Sequence, residues 1–148
     1  MKSIAHAVSG DRILDPMIDL ARCTKQDRIV IAGSKAIELM LELQRRGFLE
    51  VAATANCGRA AGQYDVAMVD WRRRTTNSLE PTIEWLLHYL RPGGMLIVWV
   101  DPQKQTANLK LRSALERLGC VIESGTVHDC GCGLAARLLE TNPLKKAA

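Results

Sequence analysis

The stretch "RIVIAGSKAIELMLELQRRGF", from Arg28 to Phe48, decides the fold. After its leading arginine, "IVIA" is apolar and rich in β-branched residues, which is typical of a strand covered on both faces in a parallel sheet. From Lys35 to Arg46 the apolar residues recur at the spacing of one helix face. Gly47 then suits the left-handed stop that ends many helices. The stretch therefore predicts a strand, a tight turn at "AGSK" and a helix.

The middle of the chain repeats this alternation of strand and helix. Such an order predicts βαβ units with right-handed crossovers and a mostly parallel sheet. Further strands are predicted at "LEVAATA", at residues 66–69 of "GQYDVAMVD", ending at Asp70, and at "MLIVWV". Further helices are predicted at "NSLEPTIEWLLHYLR" and "TANLKLRSALERLGC".

Both ends of the chain depart from the alternation. Residues 1–10 are predicted to be mobile, and Asp15 and Pro16 are predicted as the N-cap and first residue of a short helix. Near the other end, "VIESGTVHD" and "LAARLLE" read as two strands around the turn "CGCG", and so short a connection requires antiparallel pairing. We predict one α/β domain over residues 1–148, with a doubly wound, mostly parallel sheet and a C-terminal antiparallel hairpin.

Composition excludes several classes of protein. The chain has 148 residues, of which 47% are hydrophobic, as expected of one globular domain. No apolar run approaches the roughly 20 residues that cross a bilayer, and "MKSIAHAVSGDR" lacks the apolar core of a signal peptide, so a cytoplasmic protein is expected. The five cysteines are an odd number and are predicted to be reduced thiols. A net charge of +4 is too small to indicate nucleic acid by itself.

Two phrases resemble the class I S-adenosylmethionine-dependent methyltransferases. These are "YDVAMVD" and, after the next helix, "LRPGGMLIVWV", where that family has a phrase like "FDLVV.D … L.PGG.LV". The likeness extends from about Asp27 to Glu140. It implies a seven-stranded doubly wound sheet with a reversed hairpin, S-adenosylmethionine as cofactor and methyl transfer as activity.

The cofactor motif departs from the family pattern. Where the family has a loop like "LDLGCGTG", this chain has "IVIAGSKAIE", which keeps Gly33 but places side chains on the residues that follow it. The ribose-binding carboxylate after the second strand is absent, and Asn56 is the nearest polar substitute. Weak cofactor binding is therefore expected. The segment "CGRAAGQ" reads as a loop, so the family's third strand is predicted to be missing or vestigial.

The resemblance also assigns candidate site residues. Gly33, Ser34 and Asn56 would contact the cofactor, and Asp70 and Trp71 would face the substrate. Their convergence is expected because ligands bind at the carboxyl ends of strands, where the strand order reverses. The alternative is that Ser34 caps the helix, with Lys35 nearby as a simple anion site, while Asp70 caps a loop and Trp71 packs in the core. Asp101, at the end of a later strand, is a fainter candidate of the same kind.

Two other motifs were weighed as binding sites. The run Arg72–Arg74 could hold an acidic or phosphate-bearing partner, although such a run is more often a solvated loop. His128, Cys130 and Cys132 would share one face of a continued strand as zinc ligands, but the glycines of "CGCG" favour a turn, so no metal is predicted.

Two functions follow from these patterns. The first is a methyltransferase-like enzyme that uses S-adenosylmethionine on an unidentified substrate. The second is a non-catalytic Rossmann-like domain for protein interaction or for binding an anion or nucleotide. The expected partner is a small molecule or a protein, without membrane or nucleic acid, and a homo-oligomer is left open.

Overall fold

The computed structural model describes residues 8–53, 62–71, 78–101, 105–128 and 131–139. Within these ranges, none of the helices combines the length and the apolar character that crossing a membrane requires. The elements, in chain order, are α1 (Val8–Ala21), β1 (Arg28–Gly33), α2 (Ala36–Arg45), β2 (Glu50–Ala53), β3 (Tyr64–Asp70), α3 (Leu79–Tyr89), β4 (Leu90–Val100), α4 (Gln105–Arg117), β5 (Cys120–His128) and β6 (Gly131–Leu138).

The described strands form one six-stranded sheet in the order β2-β1-β3-β4-β6-β5. The first four are parallel to one another, whereas β6 is antiparallel to both β4 and β5. This arrangement confirms the predicted doubly wound α/β sheet with a C-terminal antiparallel hairpin. The segment "CGRAAGQ", where the family's third strand is predicted to be missing or vestigial, lies outside the described residues except for Gly62 and Gln63.

Both faces of the sheet are covered, as the continuous apolar strands predicted. Ile29 and Ile31 point into a core that β1 shares with α1 and α2. Val30 and Ala32 point into the core on the other face, under α3 and α4. Side chains alternate between the faces of a strand, so burial on both sides requires apolar residues at each of the four buried positions of β1, residues 29–32.

Helix α1 begins earlier than predicted. It starts at Val8, and Pro16 lies inside it, so the assignment of Asp15 as N-cap was wrong. An interior proline costs about 3 kcal/mol. Ile13, Leu14 and Met17 are completely buried, and each contributes about 1.5–3 kcal/mol on burial, which outweighs that cost.

The turn between the last two strands is also shorter than predicted. Most of "CGCG" belongs to β6, which starts at Gly131, whereas Cys130 lies outside the described residues. The glycines make room for Trp99, which is completely buried. A Cβ at Gly131 would lie 2.6 Å from the indole Nε1, and one at Gly133 would lie 2.8 Å from the ring carbon Cε3. Close packing against this indole explains Gly133. At Gly131 that contact is joined by a φ of +140° and by the carbonyl oxygen of Val100, which would lie 2.3 Å from a Cβ.

Candidate cofactor site at the ends of β1 and β3

The carboxyl ends of β1 and β3 lie side by side. Gly33, the last residue of β1, is in register with Asp70, the last residue of β3. From β1 the chain moves outward to β2 and then returns to the other side of β1 as β3, so the strand order reverses between them. The predicted switch point is therefore present, at the position where open α/β sheets bind ligands.

Gly33 is held against the backbone of Asp70. Its φ of +112° is rarely adopted by residues with a side chain, and a Cβ there would lie 2.0 Å from the carbonyl oxygen of Asp70. The N–H of Ser34 donates a hydrogen bond to that same oxygen over 2.7 Å. In the structure the group that approaches Gly33 closely is the chain's own β3 backbone, and the predicted contact of Gly33 with a cofactor stays a prediction.

Ser34 does not cap α2. The helix begins at Ala36, and its N-cap is Lys35, which makes no side-chain capping hydrogen bond. The bond from the Ser34 N–H to Asp70 accounts for this, because it fixes Ser34 in the turn one residue before the cap. Lys35 is exposed, and its ammonium lies 3.6 Å from Glu38, so part of its positive charge is already neutralised by a neighbour.

Asp70 and Trp71 are both buried. Asp70 is completely buried, and no buried side-chain nitrogen or oxygen within the described ranges lacks a hydrogen-bond partner. Trp71 is 3% exposed and belongs to the core cluster that also contains Leu79 and Ile83 of α3. Its backbone N–H donates a hydrogen bond to the backbone carbonyl oxygen of Trp99 over 2.7 Å. This placement favours the packing interpretation of Trp71, and the substrate-facing roles of Asp70 and Trp71 stay predictions.

Other sequence candidates fall partly outside the described residues. Asn56, the run Arg72–Arg74 and Cys130 all lie there, so their predicted roles stay predictions. Asp101 follows the end of β4 and is half-buried. Within the described ranges, no three His, Cys, Asp or Glu side chains come together as a group that could hold a metal ion.

Among the described residues, Cys23 and Cys132 are free thiols. Burial, with a smaller contribution from the negative charge of Asp27, raises the pKa of Cys23 to about 12. The Cys23 thiol is therefore protonated at neutral pH and is a poor nucleophile.

Sequence reasoning missed the role of Asp65, which joins β1, β3 and β4 at the amino ends of these strands, opposite the candidate site. Its carboxylate accepts the backbone N–H of Arg28 over 2.8 Å and the Nε of Arg91 over 2.7 Å. Burial alone would raise the pKa of Asp65, but these hydrogen bonds and the two positive charges together lower it. The partners are far apart in sequence, and only the phrase "YD" before an apolar run could have singled out this carboxylate.

An open groove of about 390 Å³ between α1 and β5 was also missed. Its lining comes from segments about a hundred residues apart, which no local pattern connects: Asp15, Pro16, Asp19, Leu20, Arg22, Ser124 and Thr126.

Comparison with known proteins relates the chain to solved structures. No family model matches the sequence, and no curated protein matches it. The [4+2]-cyclase SpnF superposes with a TM-score of 0.68 at 12% identity, over 87% of this chain and 80% of that one. Geranyl diphosphate methyltransferase in complex with SAM superposes with a TM-score of 0.65 at 10% identity, over 90% of this chain and 87% of that one. A SAM-dependent methyltransferase from Aquifex aeolicus superposes with a TM-score of 0.60 at 11% identity, over 88% of this chain and 90% of that one. The chain has the class I S-adenosylmethionine-dependent methyltransferase-like fold that its motifs predicted.

Proposed function

We propose that the chain is a methyltransferase-like protein that binds S-adenosylmethionine weakly beside the ends of β1 and β3 and transfers its methyl group to a small molecule. The observation that supports this most is the strand-order reversal at Gly33 and Asp70, in a chain with this fold. Two similar structures contain such ligands: a didemethyltoxoflavin N1-methyltransferase with S-adenosylhomocysteine, and the geranyl diphosphate methyltransferase with SAM.

The proposed contacts are few. Ser34 is exposed beside the start of α2, where its side chain can reach a ligand, and Asn56 would accept or donate a hydrogen bond at a ribose hydroxyl. Without the usual carboxylate, the site lacks one charge-assisted hydrogen bond, worth about 1.5–3 kcal/mol. That loss weakens binding by roughly tenfold to a hundredfold, so we expect a dissociation constant on the order of 100 μM or above.

Titration calorimetry with S-adenosylmethionine, S-adenosylhomocysteine, NAD and ATP tests this proposal. Weak binding of the first two, and tighter binding by Asn56→Asp, which restores a carboxylate at the ribose position, would support it. Leu109→Ala, at an exposed position of α4, is the matched control and should leave the affinity unchanged. Absence of S-adenosylmethionine binding at millimolar concentration by both the natural chain and the Asn56→Asp variant would refute it.

A second function is favoured by the closed contact at the switch point. The carbonyl of Asp70 fills the space beside Gly33, and the side chains of Asp70 and Trp71 are buried. Every buried side-chain nitrogen and oxygen among the described residues has a hydrogen-bond partner within the protein, as expected if the chain uses a common fold as a non-catalytic interaction domain. If none of the four ligands changes the melting temperature or produces heat on titration, this alternative becomes the leading one.

A further inference from the structure

We draw no further inference here: the strongest candidate, the open groove between α1 and β5, is lined by side chains of both charge signs and by two hydroxyls, and nothing in the structure shows what occupies or covers it.

Discussion

Gly33→Ala should destabilise the fold by about 1–3 kcal/mol more than Gly62→Ala. Both glycines have positive φ, +112° and +72°, so both alanine variants incur backbone strain of about 1–2 kcal/mol. In both variants the free energy of unfolding also rises by about 0.4–1 kcal/mol, because alanine gives the unfolded chain less conformational freedom than glycine does. The difference lies in packing: a Cβ at Gly62 meets nothing within 4 Å, whereas one at Gly33 would lie 2.0 Å from the carbonyl oxygen of Asp70. Overpacking of that kind costs about 1–3 kcal/mol.

Urea denaturation of the two variants and the natural chain measures this difference, provided that the m-values agree. The Gly62→Ala variant is the control for strain and for the unfolded state. Equal stability of the two variants, within about 0.5 kcal/mol, would show that the β3 backbone does not need the space beside Gly33. That space would then be available to a ligand, and the assignment of Gly33 as a cofactor-binding residue would gain support.

Three more predictions concern other parts of the fold. Asp65→Asn should lower the free energy of unfolding by about 1 kcal/mol at neutral pH. The pKa of Asp65 is lowered in the folded protein, so its contribution to stability is present above the unfolded pKa of about 3.9 and disappears as the pH falls through the folded pKa. Denaturation curves of the two proteins that stay equally far apart in acid would contradict this prediction. Gly133→Ala should lower the free energy of unfolding in urea by about 1–3 kcal/mol and change the fluorescence of Trp99, because the added Cβ would lie 2.8 Å from the indole ring. An unchanged spectrum and stability would show that the indole is not tightly packed. Titration with a thiol reagent at pH 8 should count five thiols in the unfolded, unreduced chain. In the folded protein Cys23 should react slowly because its pKa is about 12, and fast modification of Cys23, identified by mass spectrometry, would count against its burial.

The sequence predicted those features of the fold that depend on local periodicity. The apolar runs of β1, β3 and β4 and the helices between them determine a parallel sheet, because each crossover must be right-handed and must cover a face. Placing β1 beside β3 required the family resemblance as well, since "YDVAMVD" alone does not specify its neighbour. The start of α1 was missed because Pro16 is a strong local signal, whereas the burial of Ile13, Leu14 and Met17 that outweighs it is a tertiary effect.

The glycines show the same limit more sharply. Gly133 is explained by the indole of Trp99, more than thirty residues earlier in the chain, Gly131 by that indole together with the carbonyl of Val100, and Gly33 by the carbonyl of Asp70. A glycine in a sequence indicates that something approaches the backbone closely, but it does not say whether the approaching group is a ligand or the protein itself. That ambiguity is why the turn at "AGSK" could be placed correctly in the fold while its function stayed open.

The contact between Gly33 and Asp70 also restricts how a ligand can bind at the carboxyl ends of β1 and β3. The Asp70 carbonyl already accepts the N–H of Ser34, so these two backbone groups are used within the protein. It follows from the proposed function that a cofactor would be held chiefly by the Ser34 side chain and by the segments after β2 and β3, to which Asn56 and Arg72–Arg74 belong. Specificity would then depend on short loops and not on the strands. Loops vary most readily on a constant scaffold, and the solved structures with this fold include both methyltransferases and a [4+2]-cyclase.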